Sequence, residues 1–168
     1  MKNNKELLPL SLIIVVTIIS GCINEKQNIN NPPDFTLEDI NGKVFNLSDF
    51  FGKVILIDFM ATWCTPCKSQ MGVLSEIKEE LGEEITIISI DVDKTRDNPE
   101  KIRSTFGNYI DKWIFAMDNY EQNVGEKYMV SYIPKIVIIN EKGKISYSET
   151  GLTDKNTLLN EINKAKNK

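Results

Sequence analysis

The 168-residue chain has no histidine and only three cysteines, Cys22, Cys64 and Cys67. A structural zinc site normally draws four ligands from cysteine, histidine and carboxylate. With no imidazole, and with Cys22 far along the chain from the other two, no metal site is expected. No cofactor-binding pattern is evident either, and no cofactor is expected. The formal net charge is −4 and basic residues form no block. Nucleic-acid binding needs a Lys/Arg footprint, so that class is set aside, as is adsorption to anionic lipid. Repeats and low-complexity segments are also missing. The longest apolar run, Leu7–Ile19, is shorter than the ~20 residues of a membrane-spanning helix.

That run has another meaning. Lys2 and Lys5 give a positive start, Leu7–Ile19 is almost wholly apolar, and Ile19-Ser20-Gly21-Cys22 ends the stretch with small residues before a cysteine. A charged start, a short apolar run and a small-residue cleavage site describe an export signal. The ending resembles the lipobox of prokaryotic lipoproteins, whose cysteine is acylated and becomes the new N-terminus. An uncleaved N-terminal anchor is the alternative, and both readings put the following domain outside the cytoplasm, at a membrane. The expected organisation is a signal peptide over 1–21, a lipidated Cys22 with a tether to residue 33, and one domain over 34–168. Loss of Lys2, Lys5 and Glu6 with the signal moves the net charge from −4 to −5. The polar, proline-ended tether after Cys22 spans at most about 35–40 Å when extended, so a partner would be at or near the membrane; a stub with no spacing role is the other possibility.

Within the domain, Phe35–Asp39 and Lys43–Leu47 alternate around Asn41-Gly42, a hairpin signal, and Ser48 is expected to cap a short turn. Val54–Ile57 is apolar on both faces, as in a central strand covered on both sides. A helix is expected from Thr65 to Leu81, with Met71, Leu74, Ile77 and Leu81 at core spacing and Gly82 ending it. Ile85–Ile90 reads as a second buried strand that closes a βαβ unit. A helix opened by Asn98-Pro99, a strand over Trp113–Met117 and a weak helix over Asn119–Met129 follow. Lys135–Asn140 and Lys144–Ser148 form a hairpin around Lys142-Gly143, and Thr153 is expected to cap the last helix. The fold class is α/β, with a central mixed sheet, helices on both faces, an N-terminal hairpin and an inserted α/β element.

The chemistry concentrates in Trp63-Cys64-Thr65-Pro66-Cys67-Lys68, directly after the apolar strand. Cys64 falls at the start of a helix, where unpaired amides and the positive dipole end stabilise an anion. Such a thiol can drop from about 8.5 to between roughly 3.5 and 7.5, which makes Cys64 the better nucleophile and the cysteine expected to be exposed. Cys67 lies nearly one turn on and on the same face, suiting a disulfide with Cα atoms about 5.5 Å apart. Cys64 would attack a substrate disulfide and Cys67 would resolve the mixed disulfide. A purely structural staple closing so small a loop would stabilise little by loop entropy. Pro66 fits the first helical turn, where its missing N–H costs nothing. Asp58 is expected to end a strand whose preceding four residues are all apolar, so its carboxyl is expected to be at least partly buried. Burial raises a carboxyl pKa and suits it to pass protons.

Ile57-Asp58-Phe59-Met60-Ala61-Thr62-Trp63-Cys64-Thr65-Pro66-Cys67-Lys68 resembles the active-site segment of thioredoxins. Ile133-Pro134 resembles their cis-proline loop, and Glu141-Lys142-Gly143-Lys144 the hairpin after it. The entry at Pro33-Asp34-Phe35 and the extra element between Asp91 and Val130 resemble extracytoplasmic thiol-disulfide oxidoreductases of the TlpA/ResA type. The resemblance covers roughly residues 32–166. It implies a thioredoxin-like three-layer fold, Asp58 as the group that helps deprotonate Cys67, and Trp63, Thr65, Pro66, Ile133 and Pro134 as the substrate-binding set, with Pro134 cis. Met60 and Lys135 depart from the usual residues of relatives, and many TlpA-type relatives carry a neutral residue where this chain has Asp58.

The function expected is therefore a membrane-tethered, extracytoplasmic thiol-disulfide oxidoreductase acting through Cys64 and Cys67. Thr65-Pro66 places no cation between the cysteines, whereas strong oxidants draw their potential from a stabilised reduced form; the expectation leans towards a reductant of protein disulfides. The resemblance implies electrons from a membrane thiol carrier, and a possible role in cytochrome c biogenesis through apocytochrome c thiols. Rival classes are a thiol-dependent peroxidase, a copper-delivery protein and a non-catalytic lipid-anchored binding module. The peroxidase motif needs Thr three residues before the cysteine and usually an arginine. Thr62 stands two before Cys64, and no arginine is expected nearby. Copper delivery would want a histidine.

Overall fold

A computed structural model describes residues 31–167. The expected signal peptide, Cys22 and the tether as far as Asn30 lie outside the described residues. Asn31, Pro32 and Pro33, also expected in the tether, are part of the described structure: the Tyr128 hydroxyl donates to the Pro33 carbonyl at 2.9 Å, and Lys144 reaches the Asn31 side chain.

The chain order is β1 (Thr36–Glu38), β2 (Val44–Asn46), β3 (Val54–Met60), α1 (Thr65–Leu81), β4 (Ile85–Asp91), α2 (Pro99–Phe106), β5 (Ile114–Met117), α3 (Val124–Lys127), β6 (Lys135–Ile139), β7 (Ile145–Thr150) and α4 (Lys155–Lys166). β1 and β2 form a separate antiparallel hairpin, and the main sheet runs β5-β4-β3-β6-β7. β3, β4 and β5 are mutually parallel, while β6 and β7 return antiparallel. This is the mixed sheet with an N-terminal hairpin and an inserted α2–β5–α3 element that the sequence order implies.

β3 is central because every one of its residues can be buried, and every one is. Alternation along it divides the core in two. Val54, Leu56 and Met60 point to the side where Met71, Leu74 and Ile77 of α1, Ile102 and Phe106 of α2, and Leu158 and Ile162 of α4 pack. Ile55, Ile57 and Phe59 point to the opposite side, against Phe35, Leu37, Phe45 and Leu47 of the hairpin and Val124 and Tyr128 around α3. The three longest helices thus share one face, and the hairpin with α3 covers the other. Each fully buried Leu, Ile or Met contributes roughly 1.5–3 kcal/mol, so the triad Met71, Leu74 and Ile77, all at 0 % exposure, is what fixes α1 on the sheet.

α1 has the expected bounds, and Gly82 closes it at φ +53, a left-handed conformation that costs a glycine little. At Gly143 (φ +71) a Cβ would meet the Phe51 ring at 3.3 Å, so both backbone angle and space call for glycine. Several boundaries differ from expectation. The last helix is capped by Asp154, whose carboxylate accepts the Thr157 N–H at 3.1 Å, not by Thr153. The turn over Leu47–Phe50 is capped by the exchange between Asn46 and Asp49, with the Asn46 N–H donating at 2.8 Å, not by Ser48. The helix expected over Asn119–Met129 shrinks to Val124–Lys127, because the buried Asp118 carboxylate takes the N–H groups of Val124 and Gly125 and Asn123 adopts φ +47. Trp113 stands just before β5, its indole N–H donating to the Ser89 hydroxyl at 3.0 Å.

Candidate active site

β3 ends at Met60, and after Ala61, Thr62 and Trp63 the chain turns into α1 with Cys64 as N-cap. The cap is chemical as well as geometric: the Cys67 N–H donates to Cys64 Sγ at 3.2 Å. One of the orphan amides of the helix start is thereby aimed at the sulfur. Pro66 occupies the first turn as expected. Cys64 and Cys67 are joined as a disulfide with a Cα separation of 5.2 Å. The expected exposure of Cys64 is not met in this oxidised state. It is 4 % exposed, against 0 % for Cys67, because the disulfide draws its sulfur onto the helix and into the α1-side core. Cys64 is still the more accessible of the two, flanked by exposed Trp63, Thr65 and Pro66.

Asp58 does not end its strand; β3 runs two residues further. It lies between Leu56 and Met60, so its side chain faces the α1 side, the face that holds Cys64, Cys67 and Met71. It is fully buried. Among the described residues only Oδ2 has a partner, the Ser89 hydroxyl at 3.2 Å, and Oδ1 has none. Burial pushes its pKa up to about 7, against a smaller downward pull from Ser89. A carboxyl poised near neutrality is suited to accept and return a proton.

The Ile133–Pro134 peptide is cis. The Pro134 carbonyl accepts the Gly151 N–H at 2.8 Å, which joins this loop to the segment before α4. That segment is held in turn to α1 by buried Gln70: Thr153 N–H donates to its Oε1 at 2.9 Å and its Nε2 donates to the Thr153 carbonyl at 3.1 Å. Lys135, the departure next to Pro134, is buried, and its ammonium donates to the carbonyls of Tyr128 and Met129 at 2.8 and 3.1 Å. Desolvation lowers its pKa. Tyr132, before the cis bond, is 76 % exposed and Ile133 half-buried.

Trp63 is half exposed and not core, but it is not free either. Its indole N–H donates to Asp93 at 2.6 Å, and the Arg96 guanidinium stands over its ring at 4.4 Å. Arg96 also donates to Asp93 at 2.5 Å. The expectation of no arginine near the cysteine motif is thus corrected: Arg96, distant along the chain, stands over Trp63, the residue before Cys64. Parallel β3 and β4 bring the loop after each strand to the same edge of the sheet. Arg96, Asp93 and Asp97 arrive on the second loop, and Asp97 takes both the N–H (2.8 Å) and the hydroxyl (2.6 Å) of Thr62. Sequence reading missed these residues, together with Ser89, Asp91 and Gln70. The one available signal was Asp91 directly after the apolar run Ile85–Ile90, the same pattern that singled out Asp58.

Comparison with known proteins agrees with this geometry. The Redoxin family model matches residues 28–167. The thiol-disulfide oxidoreductase ResA of Geobacillus thermodenitrificans is 27 % identical, with 99 % of each chain covered. The thioredoxin-like protein YneN of Bacillus subtilis is 26 % identical over 77 % of this chain and 75 % of its own. Among solved structures, a thioredoxin-like protein from Aeropyrum pernix superposes with a TM-score of 0.67 at 28 % identity, covering 78 % of this chain and 89 % of that one. With its Cys64–Cys67 pair on this sheet, the chain belongs to the Redoxin family and is a ResA-like thiol-disulfide oxidoreductase of the thioredoxin superfamily.

Proposed function

We propose that this chain is held at the outer face of a membrane through Cys22 and there reduces disulfides of other proteins. The observation that carries the redox part is Cys64 Sγ at the N-cap of α1 receiving the Cys67 amide. In the reduced protein the same amide and the helix dipole favour the Cys64 thiolate. That thiolate attacks one sulfur of the substrate disulfide; the S–S bond breaks and the departing sulfur takes a proton. Asp58, ionised near neutrality, accepts the Cys67 proton. The Cys67 thiolate then attacks Cys64, the Cys64–Cys67 disulfide closes, and the second substrate thiol leaves. The substrate gains two electrons, which a membrane thiol carrier must later return to the Cys64–Cys67 pair. Trp63, Thr65, Pro66 and the Ile133–Pro134 loop form the contact surface for the substrate chain, and a disulfide formed between apocytochrome c thiols fits the chemistry of such a substrate.

Two observations weigh against the peroxidase alternative. Arg96 is turned to Asp93 through its Nε and lies over the Trp63 ring, and the Thr62 hydroxyl donates to Asp97, so both side chains are engaged by groups other than Cys64. A binding module that makes no use of its thiols would be indifferent to alkylation of Cys64, whereas an oxidoreductase would lose insulin-disulfide reduction.

The test is trapping in cells with Cys67→Ser. Mixed disulfides between Cys64 and exported proteins are expected, absent when Cys64→Ala is added, and recovered with the membrane fraction unless Cys22 is replaced by Ala. Equal recovery of adducts from chains with and without Cys64 would remove the redox proposal. Membrane recovery that ignores Cys22 would remove the lipid anchor.

A further inference from the structure

Asp93, in the loop between β4 and α2, collects five donors. Its Oδ1 accepts the Thr95 N–H at 3.2 Å, the Thr95 hydroxyl at 3.0 Å and the Arg96 N–H at 3.0 Å. Its Oδ2 accepts the Trp63 indole N–H at 2.6 Å and the Arg96 Nε–H at 2.5 Å. The Asp93 side chain is 8 % exposed, so its charge is satisfied within the loop. What the loop shows to solvent is the other half of the ion pair. The Arg96 side chain is 64 % exposed, and its guanidinium carbon stands 4.4 Å from the centre of the Trp63 ring.

A guanidinium carries its N–H donors in a rigid planar fork. In Arg96 the Nε is turned to Asp93, and among the described residues the two Nη nitrogens have no partner. They form an edge able to take a second carboxylate through two parallel N–H···O bonds. The indole under the guanidinium and Asp93 beside it already restrict the side chain, so less freedom is lost on binding than for a solvated arginine. Trp63 is the residue before Cys64, and with Arg96, Val92 and Tyr120 it lines a groove of about 350 Å³. Lys94, also in this groove, is engaged by Asp118 at 3.0 Å and by Asn123.

We propose that Arg96 is a specificity-determining residue, whose Nη nitrogens take the carboxylate of an Asp or Glu beside the substrate's disulfide while Cys64 attacks that disulfide. The preferred substrates are then proteins with an acidic residue next to the cysteine that is reduced. The idea rests on the thiol-disulfide reading and adds the substrate class to it. The chain as a whole works against such a preference, because a net charge of −4 repels an acidic peptide at long range. A preference for acidic substrates must therefore come from a cation close to Cys64. Lys68, one residue beyond Cys67, is exposed as well, but among the described residues no ring or carboxylate orients it.

The test uses the full-length chain in detergent micelles with the Cys64–Cys67 pair reduced. It is mixed with disulfide-bridged peptides that differ only in the residue beside the cysteine, which is Glu, Gln or Lys. The rate of peptide reduction is divided by the rate with dithiothreitol, which removes differences in intrinsic reactivity. The expected result is a normalised rate about three- to tenfold higher for the Glu peptide than for the Lys peptide, the range for an exposed but oriented ion pair. The preference should vanish in Arg96→Gln and persist in Lys68→Gln. In Arg96→Lys, which keeps the charge and loses the fork, it should be smaller than in the unsubstituted chain. A preference that survives Arg96→Gln overturns the proposal, as do equal normalised rates for the three peptides in the unsubstituted chain. A rate loss in Arg96→Gln that is the same for all three peptides also overturns it, because that marks a residue that only steadies Trp63. A chain that reduces none of the peptides removes the oxidoreductase reading itself, so the two failures are told apart.

Discussion

Replacing Asp58 by asparagine is expected to remove a pH-dependent penalty on folding. In the unfolded chain this carboxyl ionises near its ordinary value of 3.8, whereas in the folded protein burial holds the proton until about 7. Below both values the group is protonated in both states and contributes nothing. Between them the folded state binds more protons than the unfolded, so stability falls as pH rises. Above about 7 the penalty is complete. The displacement from 3.8 to about 7, at 1.36 kcal/mol per tenfold change, amounts to about 4 kcal/mol. Asp58→Asn cannot titrate. It leaves amide protons without a partner where Oδ1 now stands alone, a cost of about 1–3 kcal/mol, but that cost is the same at every pH. The stability of the variant minus that of the unsubstituted protein should therefore rise by roughly 3 kcal/mol between about pH 5 and pH 8. Urea unfolding of the oxidised protein across that range measures it. Asp91 is common to both chains and cancels in the difference. Parallel pH profiles for the two chains would refute the assignment of a buried, proton-holding Asp58.

Two further outcomes follow from the same contacts. Ser89→Ala removes the one hydrogen bond that pulls Asp58 downward. A bond to a charged group contributes about 1.5–3 kcal/mol and the 3.2 Å length favours the low end, so the pH profile of stability should move up by about one pH unit. Gln70→Ala leaves the buried Thr153 N–H and carbonyl without the partners that α1 supplies. A stability loss of about 2–4 kcal/mol is expected, together with faster amide exchange at Leu152 and Thr153. Slow exchange there with an unchanged midpoint in urea would show that other contacts hold this segment to α1.

Much of the fold could be read from periodicity. The apolar run at β3, the spacing of Met71, Leu74 and Ile77 in α1, and the glycines after α1 and between β6 and β7 are local signals that the tertiary structure had no reason to override. Where it did override, a specific side-chain hydrogen bond was responsible. Asp118 supplies two acceptors to the start of α3 and shortens a weak helical pattern to one turn. Asp154 outcompetes Thr153 as cap because the Thr153 backbone is already engaged by Gln70 across a sequence distance of 83 residues.

The site divides along the same line. The sequence by itself determined the cysteine pair, its position at a helix start, the proline in the first turn and the carboxyl buried on the strand before it. All of these depend on neighbours within ten residues, and hydrophobic patterning reports such neighbours. Only the tertiary structure decided what surrounds them. Parallel pairing of β3 with β4 carries Asp93, Arg96 and Asp97 to Trp63 and Thr62, and the register that sets Ser89 opposite Asp58 gives that carboxyl its one donor. Pairing register and loop convergence are set by the packing of whole strands, and no local run of residues encodes them.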